Sequence, residues 1–329
     1  MISRRLSVRP ETWVLNEPFH ISRGSRTEAH LITAELEHCK VTGCGEAAPY
    51  ARYGETIDSV MTQLADVTDA VEDGVSPEEL QALLPAGAAR NAVDCALWDM
   101  LARWKGTSVA EMLDLPRPRQ VDTAVTIGIG DAATMAVKAK RYKDYPLLKI
   151  KLNREDITGK IKAIRAEAPT PRIIIDPNES WTIEDITELD SFMAEMNISV
   201  LEQPLAAGQD EGLRDFKGKV PVCADESCHT RADLDGLQGK YQVINIKLDK
   251  TGGLTEAVKL KQQATDMGFD IMVGCMISTS LAMAPALLLA SDATFVDLDG
   301  PLWMKEDRAH GLDITQGCIA GLSPDLWGG

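Results

Sequence analysis

Two lysines stand one residue apart in the run LLKIKLN, Leu147 to Asn153. Apolar and polar residues alternate as they do in a strand, which puts Lys149 and Lys151 on one face, their Cα atoms ~7 Å apart. By themselves they would read as a sheet edge defended by lysine. Downstream, however, short β-branched runs recur, and each ends in a residue able to do chemistry. RIIID ends at Asp176, SVLE at Glu202, VPVCAD at Asp225, VINIK at Lys247, FDIMVGC at Cys275 and ATFVDLD at Asp297 and Asp299.

Asp176, Glu202 and Asp225 fall on successive runs. Each singly would be a helix N-cap at a strand-to-helix junction. Together, without Cys or His, they make a hard oxygen donor set suited to one Mg²⁺ per subunit, with Mn²⁺ as a substitute. Lys151 and Lys247 on either side suggest paired general bases. A substrate carboxylate on the ion has its α-proton acidified, because the enediolate left behind is stabilised. A lysine base must be neutral part of the time, and burial beside a second ammonium, as with Lys149 next to Lys151, pushes its pKa down. With one base on each face of the α-carbon, one removes a proton and the other returns it, so the centre inverts. The bland alternative for Lys247 is a surface lysine in NIKLDK.

Asp297 and Asp299 lie two apart and so share a strand face. No basic residue between Phe295 and Met304 pairs with them, and unpaired neighbouring carboxylates are unfavourable until something cationic arrives. A substrate ammonium is the expected cation; a solvated turn is the alternative. In SRGSRTE, either Arg23 or Arg26 could fork onto a second substrate carboxylate.

These residues need a scaffold with a regular repeat, and the spacing supplies one. Lys151 to Asp176 is 25 residues, then 26 to Glu202, 23 to Asp225, 22 to Lys247 and 50 to Asp297, with the seventh strand midway. Helical segments such as REDITGKIKAIRAEA and GGLTEAVKLKQQATDMG fill the gaps, giving βα units. With DTAVTIGIG supplying a first strand near Thr126, eight strands and seven crossovers predict an α/β fold, a TIM-like (β/α)-barrel of modified eight-stranded type, over residues 119–304. A barrel is preferred to a doubly wound sheet because the polar residues all fall at C-terminal strand ends. In a ring of eight, the second strand with Lys151 lies opposite the sixth with Lys247, and the three carboxylates fill the arc between. Residues 1–118 read as an α+β capping domain. Its strand-like runs are ISRRLSVRPETWVL, AHLITAELEH and KVTGCGEAA, with a long polar loop, NEPFHISRGSRTE, between the first two, and helical patterns follow. Residues 305–329 are turn-rich and are expected to return to the capping domain.

Composition narrows the function classes. The 329 residues are 44% hydrophobic and carry a net charge of −16, with a pI of about 4.8. That balance argues against a nucleic-acid partner, whose phosphates want a basic face. The N-terminus shows no apolar secretory core, and SLAMAPALLLA (Ser280 to Ala290) is too short to span a bilayer, so neither export nor membrane insertion is expected. Seven cysteines without a C-x-x-C spacing suggest reduced thiols in the cytoplasm. GIGDAA lacks the third glycine of a dinucleotide fingerprint. Homo-oligomer formation is left open.

Taken together, LKIKL, IIIDPNESW, LEQPL, CADES and NIKLDKTGG resemble the enolase superfamily, muconate-lactonizing subgroup, over nearly the whole chain. ISRGSR, PYARYGE, CADESCHTR, NIKLDKTGGLTEA and DLDGP resemble, more narrowly, the bacterial L-Ala-D/L-Glu dipeptide epimerases. The resemblance implies Lys151 and Lys247 as bases and Asp176, Glu202 and Asp225 as Mg²⁺ ligands. It implies that Asp297 and Asp299 hold a dipeptide ammonium and that Thr126, Lys149 and Cys275 line the substrate site. The implied reaction is epimerisation of the C-terminal residue of a dipeptide such as L-Ala-D-Glu, with a role in murein-peptide metabolism. Two alternatives stand beside it: a lyase resembling o-succinylbenzoate synthase, using the same lysines and metal, and a non-catalytic metal-binding scaffold.

Overall fold

The computed structural model describes residues 4–329; Ile2 and Ser3, at the start of the first strand-like run, lie outside them. β1 (Arg5–Ile21), β2 (Gly24–His38) and β3 (Val41–Ala47) form an antiparallel sheet in that order. On it pack α1 (Ile57–Glu72), α2 (Pro77–Leu83) and α3 (Ala88–Lys105). α1 and α2 begin at capping boxes, Thr56 with Ser59 and Ser76 with Glu79, which satisfy backbone donors the first turn leaves free. Ile32, Leu36, Val60, Leu64 and Leu97 fill the core between sheet and helices. α3 is buried along most of its length because the barrel covers its other side. There Trp98 Nε1 and Asp94 Oδ1 both bond to Thr255 Oγ1, at 2.8 and 2.6 Å.

The long polar loop expected between the first two strands is instead the end of a continuous hairpin. Phe19 pairs with Arg26, His20 with Ser25 and Ile21 with Gly24, after a register shift between Val14 and Phe19. Only Ser22 and Arg23 remain as the turn. Backbone pairing carries this ribbon where the sequence shows no continuous apolar face. The ribbon leans on the barrel mouth: His20 accepts a bond from Ile129 N at 3.1 Å, and the Phe19 ring meets Trp303 edge-on at 4.5 Å.

After α4 (Val109–Met112) and the short β4 (Val121–Asp122) comes the barrel. Its strands are β5 (Val125–Ile127), β6 (Leu147–Lys151), β7 (Arg172–Asp176), β8 (Ile198–Glu202), β9 (Val222–Ala224), β10 (Val243–Ile246), β11 (Asp270–Gly274) and β12 (Phe295–Asp297). All pair in parallel in chain order, and Ala124 N bonds to Val296 O at 2.8 Å across the seam. The expected eight-stranded barrel is therefore present, nearly closed. The helices around it are α5 (Ala132–Arg141), α6 (Ile157–Glu167), α7 (Ile183–Glu195), α8 (Leu234–Leu237), α9 (Leu248–Thr251), α10 (Leu254–Asp266), α11 (Ser280–Leu287) and α12 (Gly300–Trp303). The β8–β9 crossover carries a 3₁₀ turn, Glu211–Arg214.

Alternation along the strands builds the floor of the site. Leu147, Ile174, Val200, Cys223, Val243, Met272 and Phe295, with Ala124, form a separate apolar cluster inside the ring. Two residues further along each strand the same face carries Lys149, Asp176, Glu202, Asp225, Asn245 and Asp297. An apolar plug thus supports a charged layer at the C-terminal mouth. The last residues bridge both parts of the molecule. β13 (Ile314–Thr315) pairs with β14 (Cys318–Ile319), which pairs with β4, while Trp327 Nε1 bonds to Cys95 O at 3.1 Å. Among the described residues no helix is long and apolar enough to cross a membrane.

Candidate active site

The mouth holds a cavity of about 430 Å³ whose walls include Thr126, Lys151, Lys247, Cys275, Asp297 and Asp299. Lys149 reaches it from mid-β6, Lys151 from the end of β6, and Lys247 from one residue past β10. β6 and β10 are four places apart in the ring of eight, so the lysines face each other.

Ammonium groups sit among the carboxylates. Lys149 Nζ lies 2.8 Å from Glu202 Oε2, 2.8 Å from Asp297 Oδ2 and 3.2 Å from Asp176 Oδ2. Lys151 Nζ is 2.5 Å from the same Asp176 oxygen. Lys247 Nζ is 2.6 Å from Asp225 Oδ2. With cations between them, Asp176, Glu202 and Asp225 do not yet surround one point: among the described residues no three acidic, His or Cys side chains are gathered as a metal cage. Two of the three still keep a buried oxygen that accepts no hydrogen bond, Glu202 Oε2 and Asp225 Oδ1. Lys149 and Lys250 lie 2.8 and 2.7 Å from these oxygens, out of hydrogen-bond alignment, so charge alone links them.

The field here differs from the sequence expectation of a lowered pKa at Lys247. Burial pulls Lys247 down, but Asp225 outweighs it and holds the pKa well above the ordinary lysine value. Burial likewise opposes, and Asp297, Glu202 and Asp176 overcome, in raising Lys149 well above it. Opposite charge at hydrogen-bond distance therefore exceeds both desolvation and the neighbouring ammonium. For Asp176 burial is also outweighed, by Lys151 and then Lys149, and its pKa falls to about 2. Glu202 goes the other way, to about 7, through burial and then Asp176.

The pair in DLD is less alike than its spacing suggests. Asp297 is not unpaired: Lys149, 148 residues away in the chain, supplies its cation. Asp299 has no ion-pair partner among the described residues. It accepts from Thr126 N at 2.7 Å and Trp303 Nε1 at 3.3 Å. Burial, then the nearby Asp297, raise it to about 6. Cys275 is half-buried and follows Gly274, whose β11 position registers with Asp297.

The two loop arginines are separated by their partners. Arg23 is committed: its guanidinium meets Glu226 at 2.8 Å, Glu179 at 3.0 Å and the Tyr50 hydroxyl at 2.9 Å. Arg26 makes no ion pair among the described residues and lies 5.1 Å over the Tyr50 ring, at the cavity wall. Several residues at the site were not singled out by sequence. Glu226 follows Asp225 directly and is buried with it. Gln203 follows Glu202, and its Oε1 accepts from Asp225 N at 2.9 Å and Ser227 N at 3.0 Å. Both sit beside motif residues, which was the available signal. Tyr50 lies within PYARYGE and Trp303 just past DLDGP, motifs that carry the resemblance without a role assigned to either aromatic.

The class follows from barrel, capping sheet and site together. Residues 131–322 match the family model described as enolase C-terminal domain-like. Residues 3–114 match the mandelate racemase / muconate lactonizing enzyme N-terminal domain. The chain belongs to this family, the enolase superfamily. It is 46% identical to the L-Ala-D/L-Glu epimerase of Escherichia coli K12 over 316 residues, 95% of this chain and 98% of that one. It is also 46% identical to an N-acetyl-D-glutamate racemase of a Pseudoalteromonas species over 289 residues, 87% of this chain and 91% of that one. Among solved structures, an enolase family member from Agrobacterium tumefaciens with bound sodium and L-Ala-L-Glu superposes with a TM-score of 0.96 at 46% identity, covering 99% of this chain and 100% of that one. A dipeptide epimerase from Enterococcus faecalis, complexed with Mg and L-Leu-L-Tyr, gives 0.91 at 28% identity, covering 98% of each chain.

Proposed function

We propose that the protein epimerises the C-terminal residue of dipeptides, interconverting L-Ala-D-Glu and L-Ala-L-Glu, as a cytoplasmic Mg²⁺-dependent isomerase of murein-peptide metabolism. The observation that carries this reading is the pair Lys151 and Lys247, buried on opposed strands at one cavity. Each rests on a carboxylate of the proposed metal set. The donor set fits the ion: it is all oxygen, it spans adjacent strand ends, and two of its buried oxygens lack hydrogen bonds. When bound, Mg²⁺ draws negative charge from the substrate carboxylate and so acidifies the adjacent C–H.

The chain's own residues do the rest. Lys151 addresses one face of the α-carbon and Lys247 the other, so removal and return of the proton occur on opposite faces. Lys149, in the middle of the carboxylates, positions the substrate carboxylate. Asp297 and Asp299, with Thr126 and Cys275 beside them, receive the N-terminal residue. Arg26, which has no carboxylate of its own, takes the glutamate side chain as a guanidinium fork. Arg23 instead ties the hairpin turn to Glu226 and Glu179. The capping domain, residues 1–118, supplies both arginines, and the barrel, 119–304, supplies the bases.

The test uses Lys151→Ala and Lys247→Ala with each epimer separately in D₂O. Neither variant should interconvert epimers, yet each should exchange the α-proton of one epimer, and the two should prefer opposite epimers. Interconversion near the wild-type rate by either variant would refute the two-base reading.

A further inference from the structure

The mouth contains two pairs of lysines. Lys151 and Lys149 meet on one oxygen of Asp176, at 2.5 and 3.2 Å. Lys247 and Lys250 meet on Asp225 from its two oxygens, at 2.6 Å to Oδ2 and 2.7 Å to Oδ1. Lys149 faces the cavity. Lys250 does not: its side chain is wholly buried and it is absent from the cavity wall. A charged group is buried at high cost unless its hydrogen-bonding capacity is filled. Lys250 donates to Asp225 O at 2.5 Å and Asn245 O at 2.9 Å, and its charge is met by Asp225 Oδ1 at 2.7 Å through an ion pair without a hydrogen bond. Asp225 O and Asn245 O belong to the ends of adjacent strands. Asn245 in β10 is two residues before Lys247, so it shares that residue's strand face.

One ammonium therefore fixes three things at once: the Asp225 carboxylate, the end of β9, and the strand that carries Lys247. Its side chain is anchored in α9, the single turn following Lys247, where Gly252 closes the turn with φ of 69°. We propose that Lys250 is a positioning residue for the Lys247 half of the reaction, turning Asp225 so that Oδ2 faces Lys247 and setting that base's reach toward the α-carbon. The inference rests on the reading of Lys247 as one of two bases. It has a one-sided consequence, because Lys151 sits on β6 against Asp176 and touches neither Lys250 nor Asp225.

The experiment compares Lys250→Met and Lys250→Arg in the full chain with Mg²⁺ present. Exchange of the α-proton is followed by NMR in D₂O for each epimer separately, and Mg²⁺ affinity is measured by calorimetry without substrate. The Lys247→Ala variant first identifies which epimer depends on Lys247. Lys250→Met should slow exchange of that epimer at least tenfold more than exchange of the other. Lys250→Arg, which keeps the cation and donors, should recover part of the loss, and both variants should still bind Mg²⁺. Equal slowing of both epimers, with or without loss of Mg²⁺ binding, would overturn the inference and leave Lys250 a general structural residue. No slowing would overturn it as well. If Lys250→Met does not fold, the asymmetry is sought in Lys250→Arg, where equal rates for both epimers relative to wild type refute the proposal. A Lys247→Ala variant that still interconverts epimers would instead defeat the two-base reading itself, so the two failures are distinguishable.

Discussion

Asp299→Asn tests the proposed ammonium subsite, which would separate a dipeptide from an N-acylated amino acid. Asp299 is buried, has no cation of its own, and is held by Thr126 N and Trp303 Nε1. Asn keeps the shape and an oxygen for Thr126 N but removes the charge. A hydrogen bond to a charged partner contributes about 1.5–3 kcal/mol, which at 1.36 kcal/mol per decade is roughly 10- to 150-fold in kcat/KM for L-Ala-L-Glu. N-acetyl-L-glutamate keeps the amide, the α-carbon and both carboxylates without the ammonium, so with no charge-assisted contact to lose the substitution should change its kcat/KM by less than about threefold. The pH dependence carries a second signature. Asp299 titrates near 6, raised by burial and then by Asp297, and only its ionised form attracts the ammonium. Wild-type kcat/KM for the dipeptide should fall as pH drops through about 6. It should fall again above roughly 8, where the α-amino group loses its proton. The break near 6 should be absent for N-acetyl-L-glutamate and lost in Asp299→Asn. Epimerisation followed by polarimetry or NMR from pH 5 to 9 gives both readouts. Equal kcat/KM for the two substrates on the wild-type enzyme, or an equal loss for both in the variant, would refute ammonium recognition and favour the N-acetylglutamate activity of the Pseudoalteromonas relative.

Chelation should abolish turnover and Mg²⁺ restore it, and Glu202→Gln should raise the Mg²⁺ concentration for half-activity at least ~10-fold, since an all-oxygen site loses one ligand charge; unchanged activity in excess chelator refutes the metal reading. Arg26→Ala should raise KM for L-Ala-L-Glu about tenfold or more, the size of one charge-assisted contact, and leave L-Ala-L-Ala unaffected; an equal effect on both removes Arg26 from side-chain recognition. Gly45→Ala should destabilise the fold by about 1–3 kcal/mol or more through overpacking, because a Cβ there would lie 2.1 Å from Ala92 O and 2.8 Å from Ala96 N; a urea midpoint equal to wild type would show that α3 moves away freely.

The barrel was legible because its two requirements leave marks in sequence. A buried parallel strand must be apolar and β-branched, and the residue at its C-terminal end must be polar to meet the cavity. RIIID, SVLE and VINIK satisfy both, so order, spacing and facing of the strands follow. The capping hairpin was not legible because NEPFHISRGSRTE has no face to bury. Its strands are held by backbone bonds and a few contacts to Trp303 and Ile129, and backbone bonding is invisible in residue type. Arg23 and Arg26 could not be separated for a related reason. What distinguishes them is Glu226 and Glu179, far along the chain, which claim Arg23 and leave Arg26 free. The Asp297 pairing failed in the same way, since its cation comes from β6, next to β5 across the barrel seam.

The reversal at Lys247 is the most informative of these differences. Sequence reasoning counted burial and the adjacent ammoniums, both of which lower a lysine pKa, and left out how closely the carboxylates approach. In the inner site the carboxylates of Asp176, Glu202, Asp225, Asp297 and Asp299 face the ammoniums of Lys149, Lys151, Lys247 and Lys250, while Glu226 is answered by Arg23. Negative charge is in surplus by one when all are ionised, and in that field Lys149 and Lys247 hold their protons firmly. A divalent cation held by Asp176, Glu202 and Asp225 would reverse the surplus to plus one and would weaken the attraction that keeps the neighbouring buried ammoniums charged. A divalent cation thus fits this site on charge as well as on donor chemistry, since only with the carboxylates claimed elsewhere do burial and the neighbouring ammonium regain control of Lys247.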